Sequence, residues 1–241
     1  MVVIRDETRI YRLAKIGQYA SFVGMLTLIG GLIIAFTSVD NAFLYQLLAL
    51  TAGWLISQVG MYLAQRYLRE PRPDQVLDEA VKKVAGNGRF YHYLLTAPHV
   101  LLTPDGIIVF VPKFQGGVIS ADGDKWTQKG VGFRKYFGQE GVGNPSQEAE
   151  RMISALANFL RKNAPSIEEA PIGALIVFTS KGVNLNVAKS NIPAMHFTKV
   201  KGFLKRQRRE SPLSLADYEA IRAAFDSQAG HLIEVKGEQA G

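Results

Sequence analysis

The sequence predicts a membrane protein in which a hairpin of two transmembrane helices precedes an α/β (α+β) domain, with a mixed sheet flanked by helices. Residues 17–64 contain one formal charge, Asp40, although charged residues make up 20% of the 241-residue chain. Two uncharged stretches within that segment each match the thickness of a bilayer. The rest of the chain follows the order helix, strands, helix, strand, helices, which is typical of a layered mixed fold.

The predicted transmembrane helices cover residues 17–37 and 42–64, after a basic N-terminal segment, residues 1–16. At about 1.5 Å of rise per residue, each helix spans the hydrocarbon core. The connecting loop, residues 38–41, is so short that the helices must be antiparallel. Lysine and arginine flank the outer ends of the pair and are absent from the loop, so both termini are predicted to be cytoplasmic, in a protein of the plasma membrane.

Small side chains recur every four residues on the second predicted helix, at Ala49, Gly53 and Ser57. Such a stripe lets two helix backbones approach closely. We expect it to face Gly24, Thr27 and Gly31 of the first helix or to form a homo-oligomer. Neither span contains an ionisable residue, which argues against a pump or channel and favours an anchor.

A linker, residues 65–75, is predicted to lead into a domain over residues 76–210, followed by a C-terminal helix and tail over residues 211–241. Pro71 and Pro73 indicate the linker because proline does not continue a helix interior. Asn144 and Ser214 are the expected N-caps of two of the predicted helices. The predicted strands cover residues 90–95, 99–102, 107–111, 118–120, 125–128, 172–179 and 194–197.

Several stretches of this domain have the order and spacing of a known family. They are His99-Val100-Leu101-Leu102-Thr103-Pro104-Asp105-Gly106, residues 107–113, Gly117, Trp126, Asn144-Pro145-x-Gln147 and Ile176-Val177-Phe178. With them, the chain from about residue 90 to 206 resembles the nuclease-related domain family (NERD). The resemblance implies a restriction-endonuclease-like mixed sheet. It also implies an Asp and a Glu-x-Lys pair that hold a divalent cation, which activates water.

The motif residues for that chemistry are incomplete. Lys113 matches the motif lysine, but Val111 stands at the glutamate position and Pro98 at the aspartate position, and neither side chain offers an oxygen to a cation. We therefore expect a non-catalytic binding or scaffolding module without cofactor or metal ligands, in which Lys113 and Gln147 are remnants of the motif. The alternative is a magnesium-dependent nuclease with relocated acidic ligands. The candidate acids are Asp78, Glu79, Asp105, Asp122 and Asp124.

The positive charge of the chain suggests an anionic partner. The net charge is +7, and cations are dense near the end of the domain. Nucleic acid and anionic lipid headgroups both fit this charge, as does a solvated helix face. The predicted partners are thus the lipid bilayer and one of these two polyanions. The predicted binding residues are Lys113, Lys199, Lys201, Lys205, Arg206, Arg208 and Arg209.

Overall fold

The computed structural model describes residues 1–37, 40–130, 132, 140–167, 170–206, 213–230 and 232. The chain divides into two compact units. The hairpin unit is the segment Glu7–Arg72, and the α/β unit combines Met1–Asp6 with the residues from Pro73 onward.

The hairpin unit contains two long apolar helices, α1 (Glu7–Ile34) and α2 (Ala42–Leu63), and a π-helical turn, Ala64–Leu68. Both helices are long and apolar enough to cross a membrane, as the sequence predicts. Helix α1 begins ten residues before the predicted start at residue 17, because the polar and basic residues that precede the apolar stretch continue the same helix.

Small residues form the contact between α1 and α2. A Cβ added at Gly24 would lie 2.7 Å from the Ser57 backbone nitrogen, and one added at Gly31 would lie 3.0 Å from the Ala49 Cβ. A Cβ at Gly53 would lie 3.0 Å from the Gly24 carbonyl oxygen. The stripe of Ala49, Gly53 and Ser57 therefore faces α1 within the hairpin, and a homo-oligomer would need a different face of the helix.

The α/β unit contains two sheets and four helices within the described residues. The strands are β1 (Val2–Arg5), β2 (Arg89–His92), β3 (His99–Thr103), β4 (Gly106–Lys113), β5 (Gly117–Gly123), β6 (Lys125–Lys129), β7 (Ile172–Phe178), β8 (Val183–Ser190) and β9 (Ala194–His196). The helices are α3 (Pro73–Val81), α4 (Pro145–Asn163), α5 (Phe197–Arg206) and α6 (Leu215–Gln228).

The main sheet is mixed and has the spatial order β1-β2-β3-β4-β7-β9. Strands β2, β3 and β4 form an antiparallel meander, whereas β1 is parallel to β2, and β7 is parallel to both β4 and β9. The second sheet has the order β6-β5-β8, with β5 antiparallel to β6 and parallel to β8. The predicted mixed sheet with flanking helices is confirmed, but the strands are shared between two sheets.

Helices cover both faces of the main sheet. Helices α4 and α6 pack on one face through residues such as Leu156 and Phe225. Helices α3 and α5 pack on the other face through Leu77 and Val200. Because side chains alternate along a strand, neighbouring residues of β4 belong to different cores. Val109 lies in the first core and Phe110 in the second.

A third apolar cluster joins the end of the main sheet to the second sheet. Val111 of β4 and Phe178 of β7 pack there with Ile119 of β5 and Ala149 of α4. This cluster buries the end of β4, which is where the sequence places the remnants of the nuclease motif.

Candidate functional site

The motif positions gather at one edge of the main sheet. Strands β4, β7 and β9 are parallel, so their carboxyl ends lie together, with Lys113 opposite Phe178 and Phe178 opposite His196. Strand β3 runs the other way and begins there, directly after Pro98. Ligands of open α/β sheets commonly bind at the carboxyl ends of parallel strands.

Lys113 has a carboxylate partner that the sequence analysis missed. Its ammonium forms an ion pair with Glu148 in the first turn of α4, and its side chain is only 9% exposed. Val111 lies two residues earlier on the same side of β4 and is 1% exposed. The carboxylate near the motif lysine therefore comes from a helix, while the strand contributes an aliphatic side chain. The feature of the sequence that could have revealed this partner is that Glu148 falls in the first turn of a predicted helix, where the helix dipole favours negative charge.

A divalent cation does not fit these residues. Glu148 already neutralises the Lys113 ammonium, and a hard cation requires several oxygen ligands. Within the described residues, no group of three or more histidine, aspartate or glutamate side chains is placed to hold a metal ion. Asp105 lies in the turn at the opposite end of β4, and Asp122 and Asp124 lie where β5 turns into β6.

Gln147, the second motif remnant, lies at the start of α4. Its backbone N–H donates a hydrogen bond of 3.1 Å to the Asn144 side-chain oxygen, which caps the helix as predicted. The Gln147 side chain is exposed. Directly before it, Ser146 is buried and accepts a hydrogen bond of 2.9 Å from the Trp126 indole. The structure thus brings Lys113 to Glu148, the residue after Gln147.

The opposite face of the sheet carries a buried polar cluster. His92 and His99 lie opposite each other in the β2–β3 pair, with their Nδ1 atoms 2.8 Å apart. The His92 Nε2 atom lies 3.0 Å from Asp78, and Arg5 of β1 forms ion pairs with both Asp74 and Asp78. The predicted candidate Asp78 is therefore held by a histidine and an arginine.

His99 is buried and adjacent to other nitrogen groups. Burial of its imidazole lowers its pKa well below the usual value near 6.5, and the neighbouring His92 and Arg5 act in the same direction. The sequence alone did not lead to a prediction of this cluster. A short connection separates His92 from His99 and places the two residues opposite each other once β2 and β3 pair. This spacing is the feature of the sequence that could have revealed the histidine pair.

The basic residues of α5 lie on solvent-exposed surface. Val200 is buried against the core, and Phe203 packs beside it, so the cations occupy the remaining surface of the helix. Arg208 and Arg209 fall outside the described residues. Because α5 covers the face opposite Lys113, the predicted binding residues do not form one cluster. The exposed cations of α5 are Lys199, Lys201, Lys205 and Arg206.

Comparison with known families identifies the core of this unit. The family model described as nuclease-related domain matches residues 59–179, which is half of the chain. The match covers α3, strands β2 to β7 and α4, and therefore includes both Lys113 and Glu148. Neither the search among curated proteins nor the search among solved structures found a significant match.

Proposed function

This chain belongs to the nuclease-related domain family, and we propose that it is a membrane-anchored, non-catalytic member that binds nucleic acid. The observation that carries the proposal is the ion pair between Lys113 and Glu148 beside the buried Val111. The two positions that would carry the metal-binding acids of a nuclease hold Val111 and Pro98, and Glu148, the acid beside Lys113, is paired with the lysine ammonium.

The energetics of the ion pair support the absence of catalysis. A cation at this position would have to draw the Glu148 carboxylate away from the Lys113 ammonium. The lysine side chain is 9% exposed, so its ammonium would then lie unpaired in a site with little water. Solvent screens part of this pair because Glu148 is 36% exposed, so separating the two groups costs about 1–3 kcal/mol. One carboxylate gives a cation too few contacts to offset that cost.

The exposed surface of the hairpin unit supports anchoring in a bilayer. Only 17% and 11% of the most apolar windows of the two candidate spans are buried, unlike the core helix of a soluble protein. Large side chains such as Phe22, Leu26 and Trp54 are 55%, 50% and 57% exposed. A continuous apolar surface of this kind requires a lipid or protein cover. The proposed cover is the bilayer, with both termini on the cytoplasmic side.

The charge of the chain supports a polyanionic partner. The chain has a net charge of +7, and α5 carries exposed cations. Binding of such cations to nucleic acid releases counterions from the phosphate backbone, which favours the complex. We propose nucleic acid as the partner because family membership supplies a second, independent reason for it. Anionic lipid headgroups are the competing partner, and a binding experiment separates the two.

A cleavage assay tests the absence of catalysis. Purified full-length protein in detergent is incubated with single-stranded DNA, duplex DNA or RNA in Mg²⁺ or Mn²⁺. We expect no metal-dependent cleavage. The proximity of Glu148 to Lys113 favours a second candidate, a nuclease with a relocated acid. Cleavage that is lost in both Lys113→Met and Glu148→Gln would establish that candidate and refute the proposal.

A binding assay tests the partner. Fluorescence anisotropy with labelled oligonucleotides measures the affinity. The logarithm of the affinity should fall linearly with the logarithm of the salt concentration. Flotation with anionic vesicles, using protein reconstituted in neutral nanodiscs, measures lipid binding separately. Undetectable oligonucleotide binding at low salt, together with binding to anionic vesicles, would replace nucleic acid with lipid as the partner.

A further inference from the structure

A groove of about 680 Å³ lies between β8 and the segment formed by β9 and the start of α5. Its volume falls within the range of small-molecule sites, about 300–1,000 Å³. One wall is the continuous stretch 183–188 of β8, and the other includes Met195 and His196. Both walls lie outside residues 59–179, so the nuclease-related match does not include this groove.

The charged side chains that line the groove are all cationic. Lys181 lies in the turn before β8 and Lys199 in the first turn of α5, and no carboxylate lines the groove within the described residues. Both lysine side chains are exposed. An anion in the groove would therefore meet two ammonium groups without a competing acid.

His196 contacts both of the chain segments that carry the two lysines. Its Nε2–H donates a hydrogen bond of 3.1 Å to the Ser180 carbonyl oxygen, and its Nδ1 lies 2.8 Å from the Thr198 hydroxyl oxygen. Ser180 directly precedes Lys181, and Thr198 directly precedes Lys199. The imidazole thus joins the two chain segments that carry the cations, at the carboxyl end of β9.

The wall formed by β8 offers neutral polar groups beside the cations. Asn184 and Asn186 lie two residues apart, so both side chains are on the exposed side of the strand. An amide side chain both donates and accepts hydrogen bonds, which suits the edge of a nucleobase or the hydroxyls of a sugar. Leu185 and Met195 add apolar surface to the groove.

We propose that this groove binds a nucleotide, with its phosphate between Lys181 and Lys199 and its base or sugar beside Asn184 and Asn186. This inference deepens the proposed function and rests on it, because it names where and in what form nucleic acid binds. The nucleotide is free or part of a single strand. The proposal excludes a duplex, whose bases are stacked and paired and so are not free to lie beside Asn184 and Asn186.

Two charge-matched variants test the proposal. Lys181→Ala/Lys199→Ala removes two cations from the groove, whereas Lys125→Ala/Lys129→Ala removes two exposed cations of β6 outside it. Both lower the net charge equally, so they change the general attraction for a polyanion to a similar extent. All four side chains are exposed, and unchanged thermal unfolding of both variants confirms that they fold.

The readout is the binding of full-length protein to a short labelled single strand. The groove variant should lose about tenfold in affinity, and its salt slope should fall by about 0.7, the value for one phosphate contact on a single strand. The variant outside the groove should change less than about twofold. Adenosine 5′-monophosphate should compete with the strand more strongly than inorganic phosphate does.

Other outcomes separate this inference from the proposed function. Equal loss in the two variants would overturn the groove site while nucleic-acid binding stands. Duplex binding as tight as single-strand binding, with the same dependence on Lys181 and Lys199, would overturn the nucleotide-sized ligand. Binding of neither oligonucleotide nor adenosine monophosphate by the unmodified protein would refute both proposals. Binding of adenosine monophosphate by the unmodified protein without binding of the oligonucleotide would support the groove as a site for a free nucleotide.

Discussion

Lys113 shows how one neighbour changes the role of a residue. In the family's implied chemistry the motif lysine faces a metal-bound water, whereas here its ammonium is paired with Glu148 at the start of α4. The Glu148 side chain is 36% exposed, so solvent screens part of the interaction. The pair is thus a partly buried structural contact between the main sheet and α4.

The ion pair predicts a stability effect of substituting Glu148. Glu148→Gln leaves the Lys113 ammonium without its countercharge, and we expect the free energy of unfolding of the α/β unit to fall by about 1–3 kcal/mol. Glu150→Gln removes an exposed acid from the same helix and serves as the control, with little change. Chemical denaturation followed by tryptophan fluorescence measures both. Equal stability of the two variants would contradict a stabilising role for the pair.

The buried pair of His92 and His99 predicts that stability depends on pH. A single proton lies between the two Nδ1 atoms, so a second proton breaks their hydrogen bond. The pKa of His99 is lowered in the folded state, so the unfolded chain binds more protons below about pH 6.5. Stability is therefore present above that pH and is lost as the pH falls, by at most about 1.4 kcal/mol per pH unit for one proton.

Denaturation between pH 7.5 and 5 tests this dependence. His99→Asn removes the titrating group but keeps a donor, and it should flatten the pH dependence. His196→Gln, in a half-buried histidine outside the cluster, should leave the dependence unchanged. Asp78 and Arg5 also face the pair and are unchanged in both variants. A His99→Asn profile as steep as that of the unmodified protein would exclude His99 as the source.

At the scale of elements, the sequence predicts those helix caps and turns that are determined by residues close together in the chain. Asn144 and Ser214 cap α4 and α6 as expected, because the capping side chain and the backbone N–H that it accepts from are three residues apart. Proline, aspartate and glycine at positions 104–106 predict a turn, and Pro104-Asp105 joins β3 and β4. Each of these features is encoded within a few residues of sequence.

Elements that depend on distant partners were missed or placed incorrectly. Strand β1 has only four residues, and its partner β2 follows the whole hairpin segment in the sequence. The alternation of Val183, Leu185 and Val187 with polar residues was a local signal for β8, but its parallel partner β5 lies in a second sheet that no periodicity specifies. The apolar spacing of the sequence predicts a helix over residues 74–85, whereas α3 ends at Val81.

The contact between α1 and α2 predicts a sharp difference between two glycines. A Cβ at Gly60 would lie 2.8 Å from the Ser21 Cα, whereas a Cβ at Gly30 has no atom within 4 Å. Gly60→Ala should force the helices apart and lower the thermal stability of the hairpin unit in detergent or bicelles. Gly30→Ala should be neutral or slightly stabilising, since alanine favours a helix by about 1 kcal/mol over glycine. Equal effects would contradict this packing.

At the scale of the whole molecule, the chain order constrains membrane topology. Strand β1 pairs with β2 in the main sheet, so the chain leaves the α/β unit at Asp6 and returns to it at Pro73. If the hairpin unit lies in a bilayer, the segments on either side of it belong to one folded unit on one side of the membrane. Two crossings satisfy this condition, and a single crossing does not. In the proposed topology that side is the cytoplasm, because positive charges flank the outer helix ends.

Cysteine labelling tests this topology directly, because the natural chain contains no cysteine. In intact cells, a membrane-impermeant maleimide should label Asp40→Cys in the connection between α1 and α2. It should not label Val2→Cys or Lys83→Cys until the membrane is permeabilised. All three positions are exposed in the structure, so reactivity after permeabilisation is the control for access. Labelling of Val2→Cys and Lys83→Cys from opposite sides would be incompatible with β1 pairing to β2, because a sheet cannot form across a bilayer.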